Sequence, residues 1–535
     1  MIENKNIVLC SDGTGSKGMQ KRGTNVYKLY EAVDLHRHKK VPPLAKQIAF
    51  YDDGVGTESI KLLKILGGAF GWGLSRNVRQ LYAHLVRTYN VGDPIYLFGF
   101  SRGAFTVRTL AGVINTCGIL NRTNFKKDSD IVKEVKRLYR DYRSKYKRIF
   151  SRKLTKYEIK ERAAAFRKKY GGVDATIKFI GVWDTVDAVG APIDEIAKFI
   201  NKFIYPFKFV DSRLSPENKV EKACHALSID DERLTFHPVM WDERVVEDEE
   251  GEEDKEGKED KKDRIEQVWF AGVHSNVGGG YPKHGMSLVS LDWMMSKAEV
   301  AGLKFIDHDR ELYHDRRNVT DKLYDSRSGM GVYYRYKPRD FGGDKFCEKY
   351  GITPKIHNSV IKRIKQRTEG YAPGNIPFDC EIVSTDENDK KYDDFIQVFH
   401  KHRQEGEKSL LDRFKRWVLI RRKFHSAFLI SSIITISTFL YIEIPELGFF
   451  GTLGKLFTIT GLIKIVANLS AQPILSIIAV VIPVIITIVF LVIVRRLRKK
   501  MNLAFSEFWC TVLKEEKENQ ERFSGSHDET SGTSD

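Results

Sequence analysis

Three residues placed after apolar runs have the types that acyl transfer needs: Ser101, Asp184 and His274. Ser101 stands in Gly99-Phe100-Ser101-Arg102-Gly103, after the strand-like run PIYLF and before the helical stretch RGAFTVRTLAGVINTCG. That is the strand–turn–helix setting of a nucleophile elbow, in which a tight turn lifts a hydroxyl above a sheet and small neighbours avoid a clash. The start of the following helix favours developing negative charge, and the Arg102 amide is one expected oxyanion donor. A serine hydroxyl is a poor nucleophile at neutral pH and needs a base held by an acid. The chain order for this arrangement is Ser, then Asp or Glu, then His. IKFIGVWDTVDAVG puts Asp184 directly after a strand, with Asp187 as the alternative acid. VWFAGVHSNVGGGYP puts His274 directly after another. The plainer readings are a helix N-cap for Asp184 and a histidine satisfied by loop backbone for His274. Asp230 and Asp231 are weaker acids because KACHALSIDDERLTF reads as helical, and His225 and His237 are the fallback bases.

The first loop, Ser11-Asp12-Gly13-Thr14-Gly15, also follows a strand, where the second oxyanion amide is expected. Gly13 and Thr14 are the candidate donors, and Asp12 is read as shaping that loop. A phosphotransferase with an aspartyl nucleophile would want a second acid two positions on, where Thr14 stands. No Gly-Lys-Ser/Thr phosphate loop is present either. No His/Cys/Asp cluster has metal-ligand spacing, so neither metal nor cofactor is expected.

The elements that must position these residues read as α/β. IVLCSD, QIAFYDDG, PIYLFGFS, ATIKFIGVWD and RIEQVWFAGVH are strand-like, and LSRNVRQLYAHLVRTYN is helical. Short apolar strands alternating with helices predict a mainly parallel sheet whose site lies at the carboxyl ends of the strands. Residues 121–170 interrupt the pattern: Lys and Arg outnumber Asp and Glu about three to one, with Tyr and Phe at helical spacing. This reads as a basic helical insertion, either a cap over the site or a solvated helix pair. No nucleic-acid motif accompanies it, so no nucleic acid is expected as a partner. The acidic run 247–264 reads as a surface loop, and the tail from about 515 as disordered.

The net charge of +17 suggests an anionic partner, and composition alone does not choose between nucleic acid and a phospholipid surface. With 42% hydrophobic and 30% charged residues the composition is globular, and six scattered Cys fit no disulfide scaffold and suit a reducing setting. The N-terminal apolar run is too short for a signal peptide core. Residues 426–442 and 474–494 carry no charge and are candidate membrane helices, the second long enough to span with Pro483 inside it. Arg413, Lys415, Arg416, Arg421, Arg422 and Lys423 precede the first; Arg495, Arg496, Arg498, Lys499 and Lys500 follow the second. Positive charge stays on the cytoplasmic side, which predicts a multi-pass hairpin with the catalytic domain and the tail both cytoplasmic. Residues 446–472 are apolar enough to lie in the interface or re-enter the bilayer. The expected organisation is a catalytic domain at 1–400, a basic juxtamembrane segment at 401–425, the hairpin at 426–500 and a tail at 501–535.

Taken in order, SDGTGS, YDDGVGT, GDPIYLFGFSRGAFTVRTLAGVI, GVWDTVDAVG, ALSIDDERLTFHPVMW and WFAGVHSNVGGGYP resemble the DUF2235 α/β-hydrolase domain, whose members include the Tle1-like phospholipase effectors of type VI secretion. The resemblance covers about residues 5–300. It implies a serine lipase or phospholipase with an α/β-hydrolase fold and a triad of Ser101, Asp184 and His274. One position departs: the family commonly has Asp after His-Ser in the last block, where this chain has Asn276, read as a loop-shaping residue. The expectation is a membrane-anchored hydrolase of phospholipid acyl esters. Its rivals are an esterase or thioesterase on soluble acyl groups and a catalytically silent scaffold or sensor. Protein partners are unknown.

Overall fold

A computed structural model of the protein describes residues 4–13, 23–36, 46–53, 70–147, 156–186, 214, 219–243, 264–377, 379–385, 392–456 and 474–529. Its strands in chain order are β1 (Asn6–Ser11), β2 (Gln47–Asp52), β3 (Ile95–Phe100), β4 (Ile119–Leu120), β5 (Gly172–Val173), β6 (Ile177–Trp183), β7 (Val220–Ser228), β8 (Ile265–Phe270), β9 (Lys355–His357) and β10 (Glu381–Val383). Eight of them form one sheet in the order β10-β9-β8-β7-β6-β3-β1-β2, with every neighbouring pair parallel. β4 and β5 make a separate antiparallel ribbon.

Every residue of β1, β3 and β8 is buried, as expected for strands covered on both faces. Successive side chains divide between two cores: Ile7, Leu9, Ile95 and Leu97 enter one, while Val8, Cys10, Tyr96 and Phe98 enter the other. The order of strands reverses between β1 and β3, and parallel sheets hold their ligands at the carboxyl ends beside such a switch.

The stretch containing Cys224 and Ala226, read from sequence as helical, is the central strand β7. Its Ala, Leu and Lys favour helix in isolation, but a position between β6 and β8 buries its last six residues, and that tertiary context wins. This places Asp230 and Asp231 just past a strand end rather than on a helix.

The basic insertion contains two helices, Asp128–Lys147 and Lys156–Tyr170. Ile131, Val135, Leu138, Tyr142 and Phe166 join the core on the Ile7/Leu9 face of the sheet. Lys133, Lys136, Arg137 and Arg140 are exposed. The acidic run 247–264 lies outside the described residues except for Arg264.

The chain forms two compact units: Met1–Ser328 with Arg339–Ile396, and Gly329–Pro338 with Gln397–Asp535. The second contains the helix Asp393–Leu456 from Gln397 onward and the helix Ile474–Glu529. Among the described residues one helix is long and apolar enough to cross a membrane, over Ile478–Asn519, with a mean hydropathy of 3.0 in its most apolar window. The helices run antiparallel. Ser431 Oγ lies 3.0 Å from Thr487 Oγ1, the rings of Phe414 and Phe505 are 5.0 Å apart, and Phe399 stacks on Trp509 at 5.2 Å. The segment Gly329–Pro338 lies against the first helix: His425 Nε2 donates to Val332 O at 2.9 Å, and the Arg421 guanidinium covers the Tyr336 ring at 3.9 Å. The tail expected to be disordered from about 515 is helical to Glu529. Its Lys-, Glu- and Gln-rich sequence favours helix, and Glu515 pairs with Lys401 and, at 2.7 Å, with His402. Of residues 446–472, those to Leu456 continue the first long helix and the rest lie outside the described residues.

Candidate active site

Ser101 follows β3 with φ 57° and ψ −118°, a conformation that favours glycine and costs a non-glycine residue about 1–3 kcal/mol. The strain is held in place by close backbone packing. A Cβ on Gly99 would lie 2.6 Å from Gly103 O, and one on Gly103 would lie 2.0 Å from Ser11 O. Gly103 therefore lets the helix Arg102–Cys117 sit directly on the backbone at the end of β1, and Gly99 lets β3 pass close beneath the first turn of that helix. The Ser101 amide donates to Trp183 O at 3.0 Å, which ties the elbow to the end of β6. The Ser101 side chain caps no amide of the helix behind it.

Asp184 comes next after β6 and is itself at positive φ, 40°. Its carboxylate is fully buried, and Oδ2 lies 2.5 Å from Nδ1 of His274. A carboxylate only accepts, so Nδ1 carries the proton and Nε2 is left as the basic nitrogen. The imidazole lies between two aromatic rings: Phe100, the residue before Ser101, at 4.6 Å, and Phe236 edge-on at 5.1 Å. Ser101, Asp184 and His274 thus gather at the carboxyl ends of β3, β6 and β8.

Charges tune this pair. Burial pushes the Asp184 carboxyl up, but the charge and hydrogen bonds of Arg339, with those of His274, hold it well below the usual carboxylate range. Burial lowers the His274 pKa against the opposing pull of Asp184, which favours the neutral imidazole that a general base requires. The fallback base His225 is fully buried under the acid and pushed down to about 3, chiefly by burial. Its Nε2 accepts from the Thr185 amide at 3.1 Å, so it supports the loop that holds Asp184.

Asp231 accepts the His274 amide at 3.2 Å and pairs with Arg233 at 2.7 Å. Asp230 accepts the Gly272 amide at 2.6 Å and the Tyr371 hydroxyl at 3.0 Å. Both carboxylates brace the base-bearing loop from its backbone. The other fallback base, His237, ends a short 3-10 turn and donates its amide to Leu234 O at 3.2 Å. Asp187 and Thr14 lie outside the described residues.

The first loop differs from expectation at Gly13. Its amide, expected to face an oxyanion, donates to Asp12 Oδ1 at 2.6 Å. Asp12 is buried and gathers Gly13, Thr24 and Tyr51 around one carboxylate, so its acceptor oxygens capture the adjacent amide. Burial pushes that carboxyl up to about 6 against these three hydrogen bonds. The loop nevertheless abuts the elbow, since a Cβ on Gly13 would be 3.3 Å from the Ser101 Cβ.

Asn276 does not touch the His274 side chain through any hydrogen bond among the described residues. Its Nδ2 donates to Lys322 O at 3.0 Å, and its Oδ1 accepts from the amides of Val273 and Tyr324 at 3.4 and 3.3 Å. Asn276→Asp removes that donor and faces a buried carboxylate toward a carbonyl. It is expected to cost about 1–3 kcal/mol in urea unfolding. Unchanged stability would show that the amide is dispensable.

Sequence reasoning missed two residues here. Arg339 reaches Asp184 from 155 positions away. Asn25, fully buried, donates to Val277 O and Ser287 O at 2.8 Å and so holds the loop after His274. An arginine in a loop carries no local signal of such pairing, and Asn25, the first residue of the helix Asn25–Ala32, gives none of its partners 252 and 262 positions on.

The chain is 28% identical over 247 residues to the uncharacterized protein YEL023C of Saccharomyces cerevisiae, an alignment covering 43% of this chain and 32% of that relative. The chain thus spans about a third of that relative's length. A crystal structure of an uncharacterized protein from Pseudomonas aeruginosa aligns with a TM-score of 0.34 at 15% identity, over 77% of this chain and 62% of the other. The family model for the catalytic domain of Tle1-like phospholipase effectors of type VI secretion matches residues 5–297, from the start of β1 past His274. With more than half of its length covered by that match, the chain belongs to the Tle1-like phospholipase effector family through its catalytic domain.

Proposed function

We propose that the protein is a membrane-anchored serine hydrolase with an α/β-hydrolase-like fold that cleaves acyl esters of phospholipids. The observation that carries this reading is the 2.5 Å contact between Asp184 and His274 beside a strained serine at the neighbouring strand end. Family membership points to phospholipase-type activity.

In this reading Ser101 Oγ attacks the acyl carbonyl as His274 Nε2 takes its proton. Asp184 orients the imidazole and stabilises the imidazolium. The oxyanion is held by the Arg102 amide at the head of its helix and by the loop after β1, where Thr14 is the remaining candidate. The imidazolium returns the proton to the departing alcohol, a lysophospholipid, and water then releases the fatty acid from Ser101.

The anchor is proposed to be a hairpin with both ends cytoplasmic. Ser431 and Thr435 lie 3.0 and 3.4 Å from Thr487, which supports the first apolar run lying at the same depth as the second. Hydrogen bonds between helices are a common means of association inside a bilayer. Ile433, Ile434, Ile482 and Ile485 face outward from this pair, as lipid-facing residues do. The basic runs 413–423 and 495–500 fall at one end of the pair, which favours that end as cytoplasmic. The proposed organisation is a catalytic domain over 1–400, a juxtamembrane segment over 401–425, the hairpin over 426–500 and a tail from 501. The basic insertion would add attraction to anionic headgroups.

The test reconstitutes full-length protein into vesicles of phosphatidylglycerol and phosphatidylethanolamine and measures free fatty acid and lysolipid. Release on vesicles well above the rate on a soluble short-chain ester is expected. Equal or faster turnover of the soluble ester would favour the esterase reading instead.

A further inference from the structure

Both oxygens of the Asp184 carboxylate are saturated. Oδ1 accepts from Arg339 Nη1 at 2.5 Å and the Ser228 amide at 3.0 Å. Oδ2 accepts from Arg339 Nη2 at 2.9 Å, Ser228 Oγ at 3.3 Å and His274 Nδ1 at 2.5 Å. The guanidinium itself is buried, and its same two nitrogens donate to Ser228 O and Phe236 O, each at 2.6 Å. Its backbone is fixed too: Asn375 Nδ2 donates to Arg339 O and to Ile229 O, each at 3.0 Å. One planar fork therefore fixes three parts of the site: the acid, the end of β7, and the residue whose ring closes over the imidazole. Arg339 lies beyond the residues 5–297 matched by the family model.

We propose that Arg339 is the positioning residue of the catalytic acid, a bidentate clamp that aims Asp184 Oδ2 at His274 and moderates the pull of the carboxylate on the imidazole. This deepens, and rests on, the serine-hydrolase reading above. A bidentate guanidinium fixes the rotation of a carboxylate, which a single point charge does not. It also offsets the carboxylate charge. An unclamped Asp184 would hold the imidazolium more strongly, so His274 would stay protonated to higher pH. Among the described residues, Asp231 and Arg233 are the other charged groups beside His274, and the titratable group beside Asp184 is His225, pushed down to about 3 by burial. Asp231 and Arg233 bind each other and are common to every variant compared.

The experiment follows the pH dependence of fluorophosphonate labelling of Ser101 in full-length protein, for wild type, Arg339→Gln and Arg339→Lys. Arg339→Gln is expected to label about tenfold more slowly, with the acid limb of the profile displaced upward by about one pH unit. Arg339→Lys restores the charge but not the fork. Its limb should return to the wild-type position while its rate stays several-fold low. A purely structural residue would lower the amount of folded protein without moving the limb. Folded Arg339→Gln with an unshifted limb overturns the proposal, and so does Arg339→Lys with a limb displaced upward, which decides the matter if the glutamine variant does not fold. Absence of any labelling in wild type would instead overturn the hydrolase reading, and the clamp's role with it.

Discussion

Ser101→Ala is expected to fold like wild type and to release no fatty acid from phospholipid above background, a loss on the order of 10⁴–10⁶-fold. The hydroxyl is the one atom the proposed acyl-enzyme cannot do without, and the change removes nothing the fold depends on. The Ser101 amide keeps its bond to Trp183 O, and the side chain makes no capping bond to lose. Alanine also tolerates the strained turn about as well as serine, so thermal unfolding should move little. Lipid extracts from cells expressing each form provide the measurement, with fluorophosphonate labelling of purified protein alongside. Retention of more than about 1% of the lysolipid signal in the variant would sink the nucleophile assignment. Labelling at another residue would do the same.

The second large effect belongs to a glycine. In Gly103→Ala the new methyl carbon would sit 2.0 Å from Ser11 O, 2.5 Å from Ser11 C and 2.6 Å from Asp12 O. All three are main-chain atoms, so no side chain can turn aside. Either the helix behind Ser101 lifts or the end of β1 shifts, and both movements displace the elbow. Overpacking of this kind costs about 3 kcal/mol or more, a large part of a typical domain's stability. A substantially lower urea midpoint and lost labelling of Ser101 are the expected readouts. A wild-type midpoint with wild-type labelling would contradict the close approach of helix and strand.

The elbow was legible because its requirements are local: a strand, a tight turn with small neighbours and a helix occur within one short stretch. The parallel sheet was legible for a similar reason, since strands buried on both faces read as continuous apolar runs. β7 was not, because Lys222, Ala223 and Ala226 favour helix until β6 and β8 close on either side. β9 and β10 have three residues each and too little pattern to register. In the site, Asp184 and His274 were marked by their positions after strands, whereas the fate of the Gly13 amide was not. It depends on the rotamer of Asp12, which Thr24 and Tyr51 set from elsewhere in the chain. Arg339 shows the same limit more sharply. An arginine in KPRD looks like any surface charge until the chain returns it to a buried carboxylate.

The interleaving of the two units has a practical consequence. Gly329–Pro338 belongs with the long helices, yet the chain returns to the sheet-bearing unit at Arg339 before reaching them. A water-soluble fragment made by ending the chain near Ile396 would keep Tyr333 and Tyr336 while discarding Phe428 and Arg421, the residues those rings lie against. Such a fragment would carry a sticky aromatic strip and would self-associate for reasons unrelated to catalysis. A well-behaved soluble version is more readily obtained by replacing both tyrosines with polar residues than by moving the stop codon.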